Sequence, residues 1–152
     1  MSRIYFTYDN KTREGFDTYH PDTRKLGANF VEEIAGEFVL EKVPDLVDFI
    51  EHCYGVLKPE GKAIFAAPFH NSHQAWTDPR NIRALSNTSL NFANKDWREQ
   101  NGQPDLCSAD FVVNCDFAMD LLVSQRAEDV KQFWLHRYNN VVQSVLFTLT
   151  KK

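Results

Sequence analysis

Between Leu46 and Leu57 the apolar residues recur at three- and four-residue spacing. Leu46, Val47, Phe49, Ile50, Cys53, Tyr54 and Leu57 form one stripe, and Asp45, Asp48, Glu51 and His52 fall largely on the other side. That pattern predicts an amphipathic helix. Pro44 suits its first turn, and Asp45 sets negative charge at the positive end of the helix dipole. The run Lys58-Pro59-Glu60-Gly61 stops it. Ala63 to Ala67 is then continuously apolar and too short for a second helix, which is how a strand buried on both faces of a parallel sheet reads. Phe30 to Ile34 predicts the strand that enters this unit. Val31 to Pro68 therefore reads as strand, helix, strand, the βαβ unit of an α/β sheet.

The flanking chain carries the same alternation of elements. Arg3 to Tyr8 is β-rich, with Asp9-Asn10 as a turn signal. Asp78 followed by Pro79 predicts a capped helix start, and a second helical piece is expected from Thr88 to about Arg98, packing Leu90, Phe92 and Trp97. Asp110 to Met119 alternates with Phe111, Val113, Cys115 and Phe117 on one side. Ala127 to Tyr138 looks helical, and Val141 to Thr150 alternates again. No repeats or low-complexity tracts interrupt the chain, so residues 1–152 are expected to form a single domain.

Val39-Leu40-Glu41-Lys42, the helix, and Val56-Leu57-Lys58-Pro59-Glu60-Gly61-Lys62 together resemble the "VLEH … RVLKPGG" stretch of class I S-adenosylmethionine-dependent methyltransferases, of the branch called methyltransferase type 11. Asp78-Pro79-Arg80-Asn81-Ile82-Arg83 is similar to the "DPxHxR" segment of some members, so the resemblance runs from Val31 to Phe92. It implies a Rossmann-like methyltransferase sheet, mostly parallel with an antiparallel last strand. The chain departs from the pattern in three places. Lys42 stands for the family's His, and Glu60 for the first Gly of "PGG". The glycine-rich "DxGxGxG" turn, where backbone meets the cofactor closely, has no counterpart: all six glycines are isolated. The expected fold is accordingly N-terminally shortened.

The resemblance also implies site residues. Asp9 takes the place of the ribose-binding acid if the chain begins at the family's second strand; a turn-forming Asp is the other reading. Asp22, in Asp22-Thr23-Arg24-Lys25-Leu26, matches an acidic position near the adenine. Gly36 and Glu37 fall in the Ala35-Gly36-Glu37-Phe38 loop that faces the cofactor in relatives, although Gly36 also serves simply to let the chain turn. The polar run from Pro68 to Thr77 emerges at the carboxyl edge of the sheet, where active-site loops collect. His70 and Asn71 are its candidate catalytic residues, with Trp76 as an aromatic wall. Arg83 is expected to hold the His70 loop or an acidic substrate. His70 and His73 have metal-ligand spacing but no third ligand nearby, and no metal is expected.

Composition narrows the partners. A formal charge of −4 and a pI near 5.7 disfavour phosphate-backbone binding, so no nucleic acid is expected. No apolar run approaches the length of a membrane span, and Met1 to Asn10 lacks a signal-peptide layout; a cytoplasmic protein is expected. Cys53, Cys107 and Cys115 are odd in number with no CxxC, and read as packed thiols. The functional expectation is methyl transfer from S-adenosylmethionine to a small-molecule or protein substrate. The alternative is a non-catalytic binding or assembly subunit, in which a partner chain or second copy, a homodimer, covers a sheet edge exposed by the shortened front.

Overall fold

The structure, a computed structural model, describes residues 2–152, the side chain of His136 excepted. Six strands, β1 (Arg3–Phe6), β2 (Asp17–Tyr19), β3 (Val31–Glu37), β4 (Leu57–Pro68), β5 (Phe111–Met119) and β6 (Val142–Lys151), form one sheet in the order β2-β1-β3-β4-β6-β5. The first four are mutually parallel, and β6 is antiparallel to both β4 and β5. This is the mostly parallel sheet with an antiparallel last strand that the resemblance implied.

The central βαβ unit forms as its pattern predicts, with β3 and β4 paired in parallel from Glu33 opposite Lys62 to Glu37 opposite Ala66. Its helix α1 (Leu46–Val56) is capped by Asp45, whose side chain accepts from Asp48 N at 2.9 Å, so Pro44 lies just outside the helix. Phe49, Ile50, Cys53 and Val56 turn toward the sheet and meet Ile4, Phe6, Ile34, Ala63 and Phe65. The rings of Phe6, Phe49 and Phe65 form a contiguous row, Phe6 meeting Phe49 edge-on with centroids 5.4 Å apart and Phe49 tilted against Phe65 at 5.6 Å. Burying one such Phe stabilises the fold by about 1.5–3 kcal/mol.

The start of β4 is irregular, its register with β3 shifting between the Val31–Leu57 and Glu33–Lys62 pairs. Glu60 adopts φ +63°, a left-handed conformation unusual for a side chain with a Cβ. At Gly61 a Cβ would sit 2.8 Å from Lys58 O and 3.1 Å from Glu32 O, both backbone atoms, so only glycine fits.

Several expectations change. Residues 78–80 form a bend and turn, and residues 81–84 continue without regular structure, in place of the expected helix. Asp78 ends the short α2 (Gln74–Thr77) and accepts from Arg80 N at 2.9 Å, because a side-chain turn outcompetes the helix that Asp-Pro suggests. The helical piece after Thr88 divides into a 3₁₀ turn (Asn91–Ala93) and α3 (Lys95–Gln100), with Asn94 capping the latter. Two further helices, α4 (Leu121–Ser124) and α5 (Glu128–Arg137), join β5 to β6.

The uncovered surface is a face of the sheet as well as its edges. Ile4, Phe6, Ile34, Phe65, Phe147 and Leu149 point to the α1 side and are buried. On the opposite side β1 and β3 are partly covered by the β1–β2 link, whose Phe16 ring lies beneath the guanidinium groups of Arg3 and Arg13. Residues 7–16 make that parallel crossover without a helix, although such connections usually carry one. On β6 and β5 there, Leu146 (40 %) and Val112 (44 %) remain exposed.

Candidate functional site

The carboxyl ends of β1, β3 and β4 converge on a crevice of about 270 Å³ lined by Asp9, Phe38, Glu41, Lys42, His73 and Asp78 among others. Open α/β sheets bind ligands at this edge. β3 leaves the sheet at Phe38 (φ +56°), whose N–H donates to Ala66 O at 2.9 Å and pins the turn beside β4. The next residues, Val39 to Val43, are all buried, including the charged Glu41 (2 % exposed) and Lys42 (9 %). Arg83 fixes this turn by donating to the carbonyls of Leu40, Val43 and Pro44. It braces the floor of the crevice instead of the His70 loop expected from its position in the chain.

Lys42 Nζ donates to Phe38 O at 2.9 Å and Glu41 Oε1 at 3.0 Å, and forms an ion pair with Asp78 Oδ2 at 3.6 Å. The second oxygen of Glu41, Oε2, is buried with no partner among the described residues. Burial pushes the Glu41 carboxyl above its ordinary range, against the opposing pull of hydrogen bonds from its own backbone and from Lys42. Asp78 behaves oppositely, because side-chain and backbone hydrogen bonds from Arg80 hold its carboxyl well below the usual carboxylate range. Arg80 also donates to Asp9 Oδ1 at 2.8 Å, tying two of the lining carboxylates together. Two more buried oxygens nearby, Tyr8 OH and Asn81 Oδ1, lack partners. Burial, with Asp22 contributing, pushes the Tyr8 hydroxyl up to about 12. Three carboxylates, Asp9, Glu41 and Asp78, thus line the crevice with Lys42, Arg80 pairs with two of them, and Glu41 Oε2 and Asn81 Oδ1 are unsatisfied acceptors among the described residues. That arrangement suits a ligand that is cationic and rich in hydrogen-bond donors.

A second, larger hollow of about 570 Å³ lies beyond β4, between the Phe69–Ser72 turn and α5. The turn is held from three sides. His70 N donates to Leu85 O at 2.8 Å, the buried Ser72 hydroxyl donates to Phe69 O at 2.9 Å, and Asn140 N donates to Asn71 O at 3.1 Å. A shallower hollow of about 360 Å³ joins the two sites, sharing His73 with the crevice and His70, Asn71 and Asn139 with the larger hollow.

The structure therefore sorts the candidates into groups. Asp9 lines the crevice, but β1 pairs directly with β3, so Asp9 ends an inner strand; the acid following the outer strand β2 is Asp22. Asp22 is exposed, its N–H donating to His20 Nδ1 at 3.3 Å, and it stands outside the crevice lining. Gly36 belongs to β3 rather than to a loop. An added Cβ there would meet the Phe65 ring at 3.0 Å and Phe6 O at 3.3 Å, so its role is close packing within the sheet. Glu37 is exposed and follows Tyr5 and Ala35 onto the opposite face of the sheet. His70 and Asn71 line the larger hollow together. Trp76 is 73 % exposed, its Nε1–H donating to His70 O at 3.1 Å, and borders the shallow one. Among the described residues no group of three or more His, Cys, Asp or Glu is placed to hold a metal ion, and no helix is long and apolar enough to cross a membrane.

Sequence reasoning did not single out Glu41, Lys42, Asp78 and Arg80 as pocket residues. The signal was present: an adjacent Glu-Lys pair inside the apolar run Val39-Leu40-Glu41-Lys42-Val43 is out of place unless both charges are paired indoors.

Solved structures share this architecture. A SAM-dependent methyltransferase from Archaeoglobus fulgidus matches at 14% identity and a TM-score of 0.64, covering 99% of this chain and 86% of its own. An S-adenosylmethionine-dependent methyltransferase from Mesorhizobium loti matches at 9% identity and a TM-score of 0.53, covering 90% and 68%. The fold is that of SAM-dependent methyltransferases. A Haloferax volcanii complex of the Trm112 methyltransferase activator with a candidate methyltransferase matches at 15% identity and a TM-score of 0.54; the similarity covers 90% of this chain but 61% of that one. No protein-family model and no curated protein matches the chain.

Proposed function

We propose that the chain binds S-adenosylmethionine in the acid-lined crevice and methylates a small-molecule or protein acceptor held beside His70 and Asn71. The observation that carries this reading is the buried, unpartnered Glu41 Oε2, set with Asp9 and Asp78 at the ligand-binding edge of a methyltransferase-type sheet. The residues fit the cofactor's chemistry. Its sulfonium and ammonium groups are cations, and its ribose hydroxyls and ammonium are donors, which answers both the excess of carboxylates and the orphaned acceptors. The crevice is near the small end of ordinary ligand pockets, about 300–1,000 Å³. Release of Asp9 from Arg80 would free a carboxylate for a donor group of the cofactor. The turn after β1 offers Tyr8 in place of a glycine cradle, so Glu41 and Lys42 would hold the amino-acid end.

When bound, S-adenosylmethionine supplies a methyl carbon on an already activated sulfonium, the C–S electron pair leaving with sulfur. The protein then has to align, dehydrate and accept a proton. Asn71, fixed through its backbone, orients the acceptor atom by hydrogen bonding. His70 takes the proton that atom loses as its lone pair forms the new bond to carbon. Phe38 closes the apolar side of the crevice against water.

Titration calorimetry tests the cofactor claim. Micromolar binding of S-adenosylmethionine is expected, weakened about tenfold or more by Glu41→Gln and by Asp9→Asn. Absence of heat from the folded protein would remove this reading.

The second reading, a non-catalytic assembly subunit, is favoured by the open face at Ile64, Val112 and Leu146. A second copy packed there would give a homodimer through an isologous contact. The Trm112 complex among the similar structures lends the idea of a covering partner further support. Light scattering should then report a dimer that Leu146→Lys converts to monomer; a monomeric parent protein refutes it.

A further inference from the structure

We infer that the larger hollow is a recognition site for an uncharged, planar heteroaromatic ligand whose edge carries a hydrogen-bond donor beside an acceptor, as a nucleobase or an aromatic carboxamide does. This inference rests on the proposed acceptor role of His70 and Asn71 and names the chemistry that they would select.

The lining decides the class. Four carboxamides, Asn71, Asn87, Gln132 and Asn139, face the hollow, and no Asp, Glu, Lys or Arg does among the described residues. A carboxamide presents one acceptor and two donor hydrogens in a plane, so it pairs in bidentate fashion with an edge that alternates donor and acceptor. A carboxylate or ammonium ligand would lose its water there and meet no opposite charge.

The main chain at Asn71 is tied by Asn140 N, which donates to the Asn71 carbonyl, and Asn71 Oδ1 is buried without a partner among the described residues. A ligand N–H is the group it lacks. Gln132 spends one donor on Glu128 Oε1 at 2.9 Å, which leaves its own oxygen as a second acceptor.

The apolar wall supplies the planar preference. Phe69 and Phe117 meet edge to face with centroids 5.6 Å apart, and the His70 ring lies 4.3 Å from that of Phe69. Aromatic faces stack a flat ring of any base type at a gain of about 1–3 kcal/mol. The 570 Å³ volume lies within the range of small-molecule sites.

The test is amide-detected NMR titration of the whole chain with nicotinamide and adenine, against nicotinate and benzamidine as charged planar controls. The neutral probes should shift the amides of Asn71, Asn87 and Asn139 and bind about tenfold or more tighter than the charged ones. Asn71→Ala and Asn87→Ala, each with a dispersed spectrum, should weaken the neutral probes about tenfold. The titrations are run without S-adenosylmethionine and repeated on Asp9→Asn. Probe binding that survives there stands even if the cofactor reading fails. Equal or tighter binding of nicotinate or benzamidine, shifts confined to other surfaces, or no binding of either neutral probe would each overturn the inference.

Discussion

Replacing Lys42 by Met should expose how the crevice is held together. Lys42 Nζ donates to Glu41 Oε1 at 3.0 Å, while Oε2 has no partner among the described residues. Both side chains are nearly sealed, at 5% and 3% exposed. Methionine preserves most of the stem volume, so packing loss is small and the principal effect is an isolated buried carboxylate. Breaking one partner of such a pair costs about 3–5 kcal/mol. For a chain of this length that lowers Tm by roughly 6–20 °C, taking about 2–4 °C per kcal/mol.

The pH dependence gives the reasoning a second, sharper readout. Burial already raises the Glu41 carboxyl, so its folded state holds the proton more tightly than its unfolded state. A group shifted in that direction favours folding below its unfolded value, near about 4.3 for glutamate, and its contribution is lost as pH rises through the folded value. Without Lys42 the penalty should therefore be full near neutrality and shrink as acid protonates Glu41. Asp78 loses the Lys42 charge as well but keeps its hydrogen bonds from Arg80, which dominate its shift, and Glu41→Gln separates the Glu41 part of the difference from the Asp78 part. Urea denaturation across pH, with Glu41→Gln and the double variant, closes the cycle. The double variant should regain about 1–3 kcal/mol of the loss. A Lys42→Met deficit below about 1 kcal/mol, a deficit independent of pH, or a double variant as unstable as the single one would refute the argument.

Three further outcomes follow from the backbone and the thiols. Glu60→Gly should stabilise the protein by about 0.5–1 kcal/mol, because a left-handed residue loses its Cβ penalty, whereas Glu60→Ala should not; equal midpoints for the two in thermal melts would count against strain at this position. Arg83→Ala should destabilise by at least about 2 kcal/mol in urea, since three carbonyls of the Leu40–Pro44 turn lose a charged donor, and should weaken any crevice ligand alongside. In the folded state a thiol reagent should modify Cys115 alone, and slowly at neutral pH, as burial beside Asp116 pushes that thiol up to about 11; rapid labelling of Cys53 before unfolding would contradict its complete burial.

The elements whose formation depends on local pattern were legible along the chain. The stripe from Leu46 to Leu57, the apolar run at Ala63 to Ala67 and the two late alternating segments each report a neighbour to be packed against, and periodicity records that directly. Short polar connections were not legible in the same way. Asp78-Pro79 carries a helix signal that a side-chain turn to Arg80 overrides, and Arg83 finds its acceptors some forty residues upstream.

The candidate site divides along the same line. His70 and Asn71 could be named because a polar run after a buried strand must emerge at the sheet's carboxyl edge. The ring of Glu41, Lys42, Asp78, Arg80 and Asp9 could not, since it joins three strand ends by contacts between residues up to 71 positions apart. Linear order carries the period with which a segment meets its surroundings; which charges meet one another, and which face of the sheet stays bare, follows only once long-range pairing has brought those segments side by side.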